Sequence, residues 1–288
     1  MTKKSILIVV LFLNFSVPLL AQGDLMVFPK RIVFDGIQSR VQNINLGNTG
    51  KDTATYRLSY NQIQMDEDGK FTMIEEPEEN QNFASPYLRY YPRTITLAPN
   101  EWQVVKIQLT KTSELKEGEY RSHLYFRAIP KTKLLETEKN ATDTIKPKGL
   151  DIQLKPVYGI SIANIITIGA ATTAVTLSDL ILLPSQILSL NIYRSGNQSA
   201  YGELNVNHIS PAGIITNVGL IKGYAVYAPG TLRRTKIQLS NIPNIDYTRG
   251  KLQVTYYTPD HVAVYAEAFL NLLPIEDNSL EIDAKAAK

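Results

Sequence analysis

Gly118-Glu119-Tyr120-Arg121-Ser122-His123-Leu124-Tyr125-Phe126-Arg127-Ala128-Ile129-Pro130 is the stretch that decides the fold. From Tyr120 to Ile129 the side chains alternate with a period of two, as they do when a strand shows one face to a core and the other away from it. A glycine fences the run on one side and a proline on the other. The same rhythm recurs outward from it. Before it lie Leu25 to Phe34, Arg40 to Asn48, Ala54 to Gln64, Tyr87 to Leu97 and Trp102 to Thr110, and after it lies Leu150 to Ile162. Runs of this length and number predict one β-sandwich.

A second set follows at Ala174 to Asp179, Ile187 to Arg194, Tyr201 to Ile209, Gly223 to Ala228, Thr235 to Ser240, Lys251 to Tyr257 and Ala263 to Leu273. The sets echo one another. Lys106-Ile107-Gln108-Leu109-Thr110 returns as Lys236-Ile237-Gln238-Leu239-Ser240, each after a loop carrying a proline, Pro99 and Pro229. Long stretches of helical period are missing. The fold class is therefore all-β, two tandem immunoglobulin-like sandwich domains, expected at residues 22–165 and 166–274 with a polar tail at 275–288.

Residues 1–21 have the layout of a secretory signal peptide: basic Lys3 and Lys4, an apolar run from Ile6 to Leu20, and the small Ala21. The apolar run is interrupted by Asn14 and Pro18 and is short of the roughly 20 apolar residues of a spanning helix, so export with cleavage is expected rather than stable membrane insertion. Cleavage leaves 267 of the 288 residues, comfortable for two domains that each bury a core. The chain holds no cysteine, which excludes disulfides and a cysteine-borne lipid anchor. Without Lys3 and Lys4, 28 basic residues face 27 acidic ones, a balance that does not point to nucleic acid.

Catalytic patterns are absent from the sequence. His123, His208 and His261 stand outside metal-ligand spacing of one another, and there is no nucleophile elbow, phosphate loop or dinucleotide fingerprint. No enzyme activity, cofactor or metal is expected. Trp102 and the sixteen tyrosines are read as strand packing rather than a sugar-binding platform. Glu75-Glu76-Pro77-Glu78-Glu79 reads as a solvated turn, and Lys131 to Gly149 as a long polar connection before the last strand of the first domain.

Phe28-Pro29-Lys30-Arg31-Ile32-Val33-Phe34-Asp35-Gly36 resembles the first strand of the periplasmic pilus (fimbrial) chaperones of the chaperone-usher pathway. Asn45 to Gly50, Tyr91-Pro92-Arg93 to Leu97-Ala98-Pro99, and Gly118 to Pro130 continue the resemblance in order. It covers most of the first domain, while the second matches in strand rhythm alone. The resemblance implies a periplasmic protein that lends the last strand of its first domain to an incomplete subunit, with Leu150, Ile152 and Leu154 as the donor row. It implies that Arg31 and Lys155 anchor the subunit's C-terminal carboxylate, and that Glu119 and Asp260 make inter-domain contacts. Fimbrial or other surface-structure subunits and an outer-membrane usher are the implied partners.

The chain departs from the family where Lys146 and Lys148 replace apolar plugs, and at Gly159, where the family often has an arginine that ties the domains together. A different reading of tandem immunoglobulin-like domains is a cell-surface adhesive or structural protein.

Overall fold

The computed structural model describes residues 25–130, 157–243 and 245–272. Among them are eighteen strands, three single turns of 3-10 helix and no α-helix. One sheet of the first sandwich takes β1 (Leu25–Phe28), β3 (Val41–Asn48), β9 (Trp102–Leu109) and β7 (Leu88–Tyr91), in the order β1-β3-β9-β7. The facing sheet takes β2 (Arg31–Asp35), β11 (Gly159–Ile168), β10 (Gly118–Ile129), β4 (Ala54–Asn61) and β8 (Thr94–Leu97), in the order β2-β11-β10-β4-β8. The first strand thus divides between the sheets and the last closes beside it, an immunoglobulin-like arrangement. Phe34, Ile44, Leu46, Leu97, Ile107, Leu124 and Phe126 fill the space between the sheets and are fully buried. Alternation along each strand supplies this set, because every second side chain points inward.

The second sandwich pairs β12 (Ala174–Leu183), β13 (Ile187–Ser195) and β16 (Leu232–Gln238) in one sheet. Its other sheet takes β14 (Ala200–Ile209), β15 (Ile215–Val226), β17 (Gly250–Tyr257) and β18 (Val264–Leu272), in the order β15-β14-β17-β18. Leu190, Ile192, Leu204, Val206, Val254 and Tyr256 centre its separate core. Burial pushes the Tyr256 phenol far above its ordinary range, and its hydroxyl donates to Tyr224 O at 2.9 Å. A buried hydroxyl that finds a carbonyl escapes the cost of being left unpaired.

The runs Leu25 to Phe34 and Tyr87 to Leu97 each divide into two strands on opposite sheets, and three further differences from the sequence reading bear on the site. The run ending at Ile162 belongs to a strand that continues to Ile168, past residue 165, and pairs with β10 from Gly118↔Ile168 to Arg127↔Gly159. From Ile162 to Thr167 each residue is buried. Ile162 and Ile166 face the first core, and Ala163, Ile165 and Thr167 are buried on the other face, so burial no longer alternates although Asn164 and Thr167 are polar. Strand β15 begins at Ile215 rather than Gly223, and register shifts on its partner at Gly202/Glu203 and Val206/Asn207 break the period. The third difference is a hairpin that the sequence reading did not separate from β4. Strands β5 (Ile63–Met65) and β6 (Phe71–Met73) form it, closed by Asp66-Glu67-Asp68-Gly69-Lys70.

The expected signal peptide, the connection from Lys131 to Gly149, the donor row Leu150, Ile152 and Leu154, the anchor Lys155 and the tail at 275–288 lie outside the described residues. Trp102 is 54% exposed on the outer face of β9, with its ring lying over Gly47 of the neighbouring strand β3. The acidic residues from Glu75 to Glu79 are exposed, as a solvated turn requires.

Candidate functional site

Strand β10 carries two sets of side chains. Tyr120, Leu124 and Phe126 point into the first core, whereas Glu119, Arg121 and His123 point at the second sandwich. All three polar residues are buried there. The parallel pairing of β2 with β11 brings Arg31 opposite Ala163, and Ala163 in turn stands opposite His123 of β10. Arg31, Arg121 and His123 therefore share one face of one sheet, with a single strand between β2 and β10.

Glu119 makes the firmest link. Its Oε2 accepts from Ser199 N at 2.7 Å and its Oε1 from Ser199 Oγ at 2.5 Å, and Ser199 Oγ accepts from Ala228 N at 2.9 Å. A carboxylate whose two oxygens both receive charge-assisted hydrogen bonds can be buried without a covalent tie. Beyond it, Arg194 of the second sandwich is 5% exposed and donates to four carbonyls. These are Gly230 O at 2.8 Å, Gly196 O at 2.9 Å, Gln198 O at 2.8 Å and Pro229 O at 3.2 Å. Burial lowers the Arg194 pKa and the negative charge of Glu119 opposes that shift.

Arg121 is equally buried and far less satisfied. It is 4% exposed, its guanidinium carbon lies 4.1 Å from the centre of the Tyr227 ring, and Nη2 donates to Ala228 O at 3.2 Å. Its Nε and Nη1 have no hydrogen-bond partner among the described residues. Burial lowers its pKa; the charges of Glu119 and Tyr227 oppose the shift, and that of Arg31 adds to it. His123, beside it, is held neutral by burial and by Arg121, its pKa pushed down to about 3. The rings of His123, Tyr227 and Phe71 lie mutually 6.0 to 6.3 Å apart, centre to centre.

Arg31 sits at the mouth of this seam. Its guanidinium carbon lies 4.1 Å from the centre of the Tyr201 ring, and its Nε has no hydrogen-bond partner among the described residues. It lines a cleft between the sandwiches of about 720 Å³, together with Lys30, Glu119, Gln198, Ser199 and Tyr201. A cation laid on an aromatic face keeps its edge free for an anion. The geometry can accept a carboxylate or another small anion between the sandwiches.

Of the residues singled out from sequence, Arg31 and Glu119 meet in this cleft. Asp260 does not join them: its carboxylate accepts from Thr258 Oγ1 at 2.6 Å and Val262 N at 3.1 Å within its own exposed turn, so its hydrogen bonds are local. Both bonds go to Oδ1 and close an Asx-type turn within residues 258–262. The Tyr125 ring lies over Gly159, where a Cβ would stand 2.4 Å from it, so a larger residue there requires the ring to move aside. Arg121, Tyr201, Ser199 and Tyr227 were missed. Arg121, Tyr201 and Tyr227 stand in ordinary alternating runs and Ser199 in the turn before one, and the one signal available was that Arg121 and His123 share a face of β10 with Glu119.

Compared by sequence, the chain matches no protein-family model and no curated protein. Compared by structure, it is similar to a chain of the CsuC–CsuE chaperone–tip adhesion subunit pre-assembly complex of Acinetobacter baumannii, with 11% identity over 88% of this chain and 100% of that one and a TM-score of 0.43. It is also similar to a chain of the Salmonella enterica complex of SafA pilin with the SafB chaperone, with 11% identity over 87% and 97% and a TM-score of 0.40. A protein of unknown function from Porphyromonas gingivalis is similar at 13% identity over 86% and 100%, with a TM-score of 0.30.

Proposed function

We propose that this protein is a periplasmic chaperone that holds incomplete β-sandwich subunits of a fimbrial or related surface structure and passes them to an outer-membrane usher. One observation carries the reading: Arg31 is laid on Tyr201 in an inter-sandwich cleft with its Nε unpaired among the described residues. A cation kept for the fold would be expected to have its hydrogens taken by the fold's own acceptors, as Arg194 has. In this reading the C-terminal carboxylate of a bound subunit meets the guanidinium from the cleft that Arg31 lines, and a charge-assisted bond in a partly dehydrated cleft is stronger than at an open surface.

Pairing of an extended strand with the subunit provides the rest of the affinity, through backbone hydrogen bonds and alternate apolar side chains. The row Leu150, Ile152 and Leu154 and the second cation Lys155 are proposed for that role on the sequence resemblance, just upstream of β11. Delivery needs no bound nucleotide in this scheme, because the subunit's own completion by another strand replaces the chaperone's.

The test is co-purification of the tagged protein with its subunits from the periplasm. Arg31→Ala is expected to abolish capture with the thermal midpoint unchanged within about 2 °C, since surface and cleft changes away from core packing alter stability little. Capture at the native yield would remove Arg31 from the anchor. Ile152→Asp is expected to block capture as well, by placing a charge in a row that a subunit groove must bury.

A further inference from the structure

Arg121 has the burial of a structural arginine without the hydrogen bonds of one, and the element that covers it is attached in an unusual way. We propose that Arg121 is a second anion-binding residue of the cleft, kept behind Tyr227, and that the β5–β6 hairpin is the releasable cover that exposes it. The proposal rests on the reading of Arg31 as a carboxylate anchor.

The cover is thin. Phe71 of β6 packs on His123 and on Tyr227, the ring that covers Arg121, yet is itself 49% exposed, so the outer of the two rings over Arg121 on that side is half open to solvent. The hairpin is stiff. Asp66 Oδ1 accepts from Asp68 N at 3.0 Å and Lys70 N at 2.8 Å, and Asp66 N donates to Lys70 O at 2.9 Å. Gly69 closes the tip with a φ of +79° and lies against the Arg233 guanidinium, where a Cβ would stand 2.7 Å from a nitrogen. Such a tip moves as a unit.

Its attachment to the second sandwich is weak by design of position. Arg234 Nη2 meets Glu67 Oε2 at 2.6 Å and Nη1 meets Asp68 Oδ1 at 3.7 Å, but all three side chains are more than half exposed. One backbone bond adds to them, Arg234 N to Glu67 O at 2.6 Å. Exposed ion pairs hold little against water and salt. The link from Glu119 through Ser199 to Ala228 is buried and firm, so the exposed pairs at the hairpin are where this part of the interface gives way first. Arg31 and Arg121 stand on one sheet face and repel each other. An anion placed between two such cations removes the repulsion and supplies the acceptors that Arg121 lacks.

The absence of cysteine permits a clean test. The double variant Glu67→Cys with Arg234→Cys places two thiols where one backbone hydrogen bond already joins the residues, within the Cα separation that a disulfide tolerates. Oxidised, it locks the cover; reduced, it frees it. The probe is a synthetic peptide of alternating valine and threonine with a free C-terminal carboxylate, against the same peptide as its C-terminal amide, followed by fluorescence anisotropy.

The reduced form is expected to bind the acid about tenfold more tightly than the oxidised form, the ordinary worth of one charge-assisted contact. The amide is expected to bind both forms alike. Arg121→Met in the same background should remove the difference between the two forms, and Arg121→Lys should restore most of it. Equal binding of the acid by the oxidised and reduced forms overturns the proposal, as does a difference that survives in Arg121→Met. If discrimination between acid and amide is lost in Arg31→Met but untouched in Arg121→Met, Arg31 stands as the anchor and the inference about Arg121 falls. If the reduced protein does not distinguish acid from amide, both fall together.

Discussion

Arg121 and Arg194 both lie close to Glu119 and each is about 95% buried, but Arg194 lines a cavity of about 660 Å³ and has four hydrogen bonds, whereas Arg121 is packed on Tyr227 and has one. Arg194 closes four carbonyls of two adjoining loops, whereas Arg121 reaches one carbonyl and rests on a ring. Burial of a charge therefore does not reveal its role here; satisfaction does. A guanidinium with its donors spent holds loops in place, and one with donors to spare is a cost to the fold that a ligand can relieve.

The largest effect that would sharpen this contrast is expected at Arg194. Arg194→Met takes the donor from the carbonyls of Gly196, Gln198, Pro229 and Gly230 beside a cavity of about 660 Å³ and should destabilise the second sandwich by about 3 kcal/mol. Urea unfolding followed by separate probes for the two sandwiches would measure it, because two domains need not unfold as one. A loss under about 1 kcal/mol would mean that water replaces the arginine, and the contrast would collapse.

Acid comes next. His123 keeps a pKa of about 3 in the folded protein against an ordinary 6.5. Below pH 6.5 the unfolded chain binds a proton that the folded chain refuses, so this contribution to stability is complete above 6.5 and is lost as pH falls toward 3. The slope is about 1.4 kcal/mol per pH unit for one proton, which comes to between about 2 and 3 kcal/mol at pH 4.5. Measured from pH 7 to 4.5, this slope should vanish in His123→Phe. An unchanged slope would show that protonation of His123 is tolerated beside Arg121.

Smaller still is the expected effect of Arg121→Met. Replacing an under-bonded buried cation by an apolar side chain of similar length should leave the thermal midpoint within about 3 °C of the native value, or raise it. A fall as large as that of Arg194→Met would make Arg121 a structural residue. The smallest is Arg234→Ala, at under about 1 kcal/mol, with a salt dependence that disappears along with the pair.

The alternation that announced the strands was legible because it is a local property: each residue's own neighbours two positions away define the face. It found Arg31 and Glu119 through the resemblance around them, and it found both strand sets. It failed where a strand is buried on both faces, as in β11 from Ile162 to Thr167, and where a short hairpin was hidden at the end of a longer run. Asp66-Glu67-Asp68-Gly69 between Ile63–Met65 and Phe71–Met73 carried a turn signal, but three-residue strands are too short for periodicity to weigh.

The sequence alone determined that the chain forms strands, how many sets they make, that no disulfide holds them, and which residue types alternate on each. What it left undetermined was what the second face of β10 would meet. Arg121 and Arg194 both occupy alternating runs, and their difference comes from the loops around Gly196 and Pro229, which offer Arg194 four carbonyls and Arg121 the one of Ala228. Those loops are distant in sequence from Arg121 and come near it when the second sandwich docks. A guanidinium's role is set by the acceptors around it, and which acceptors those are is decided by tertiary packing.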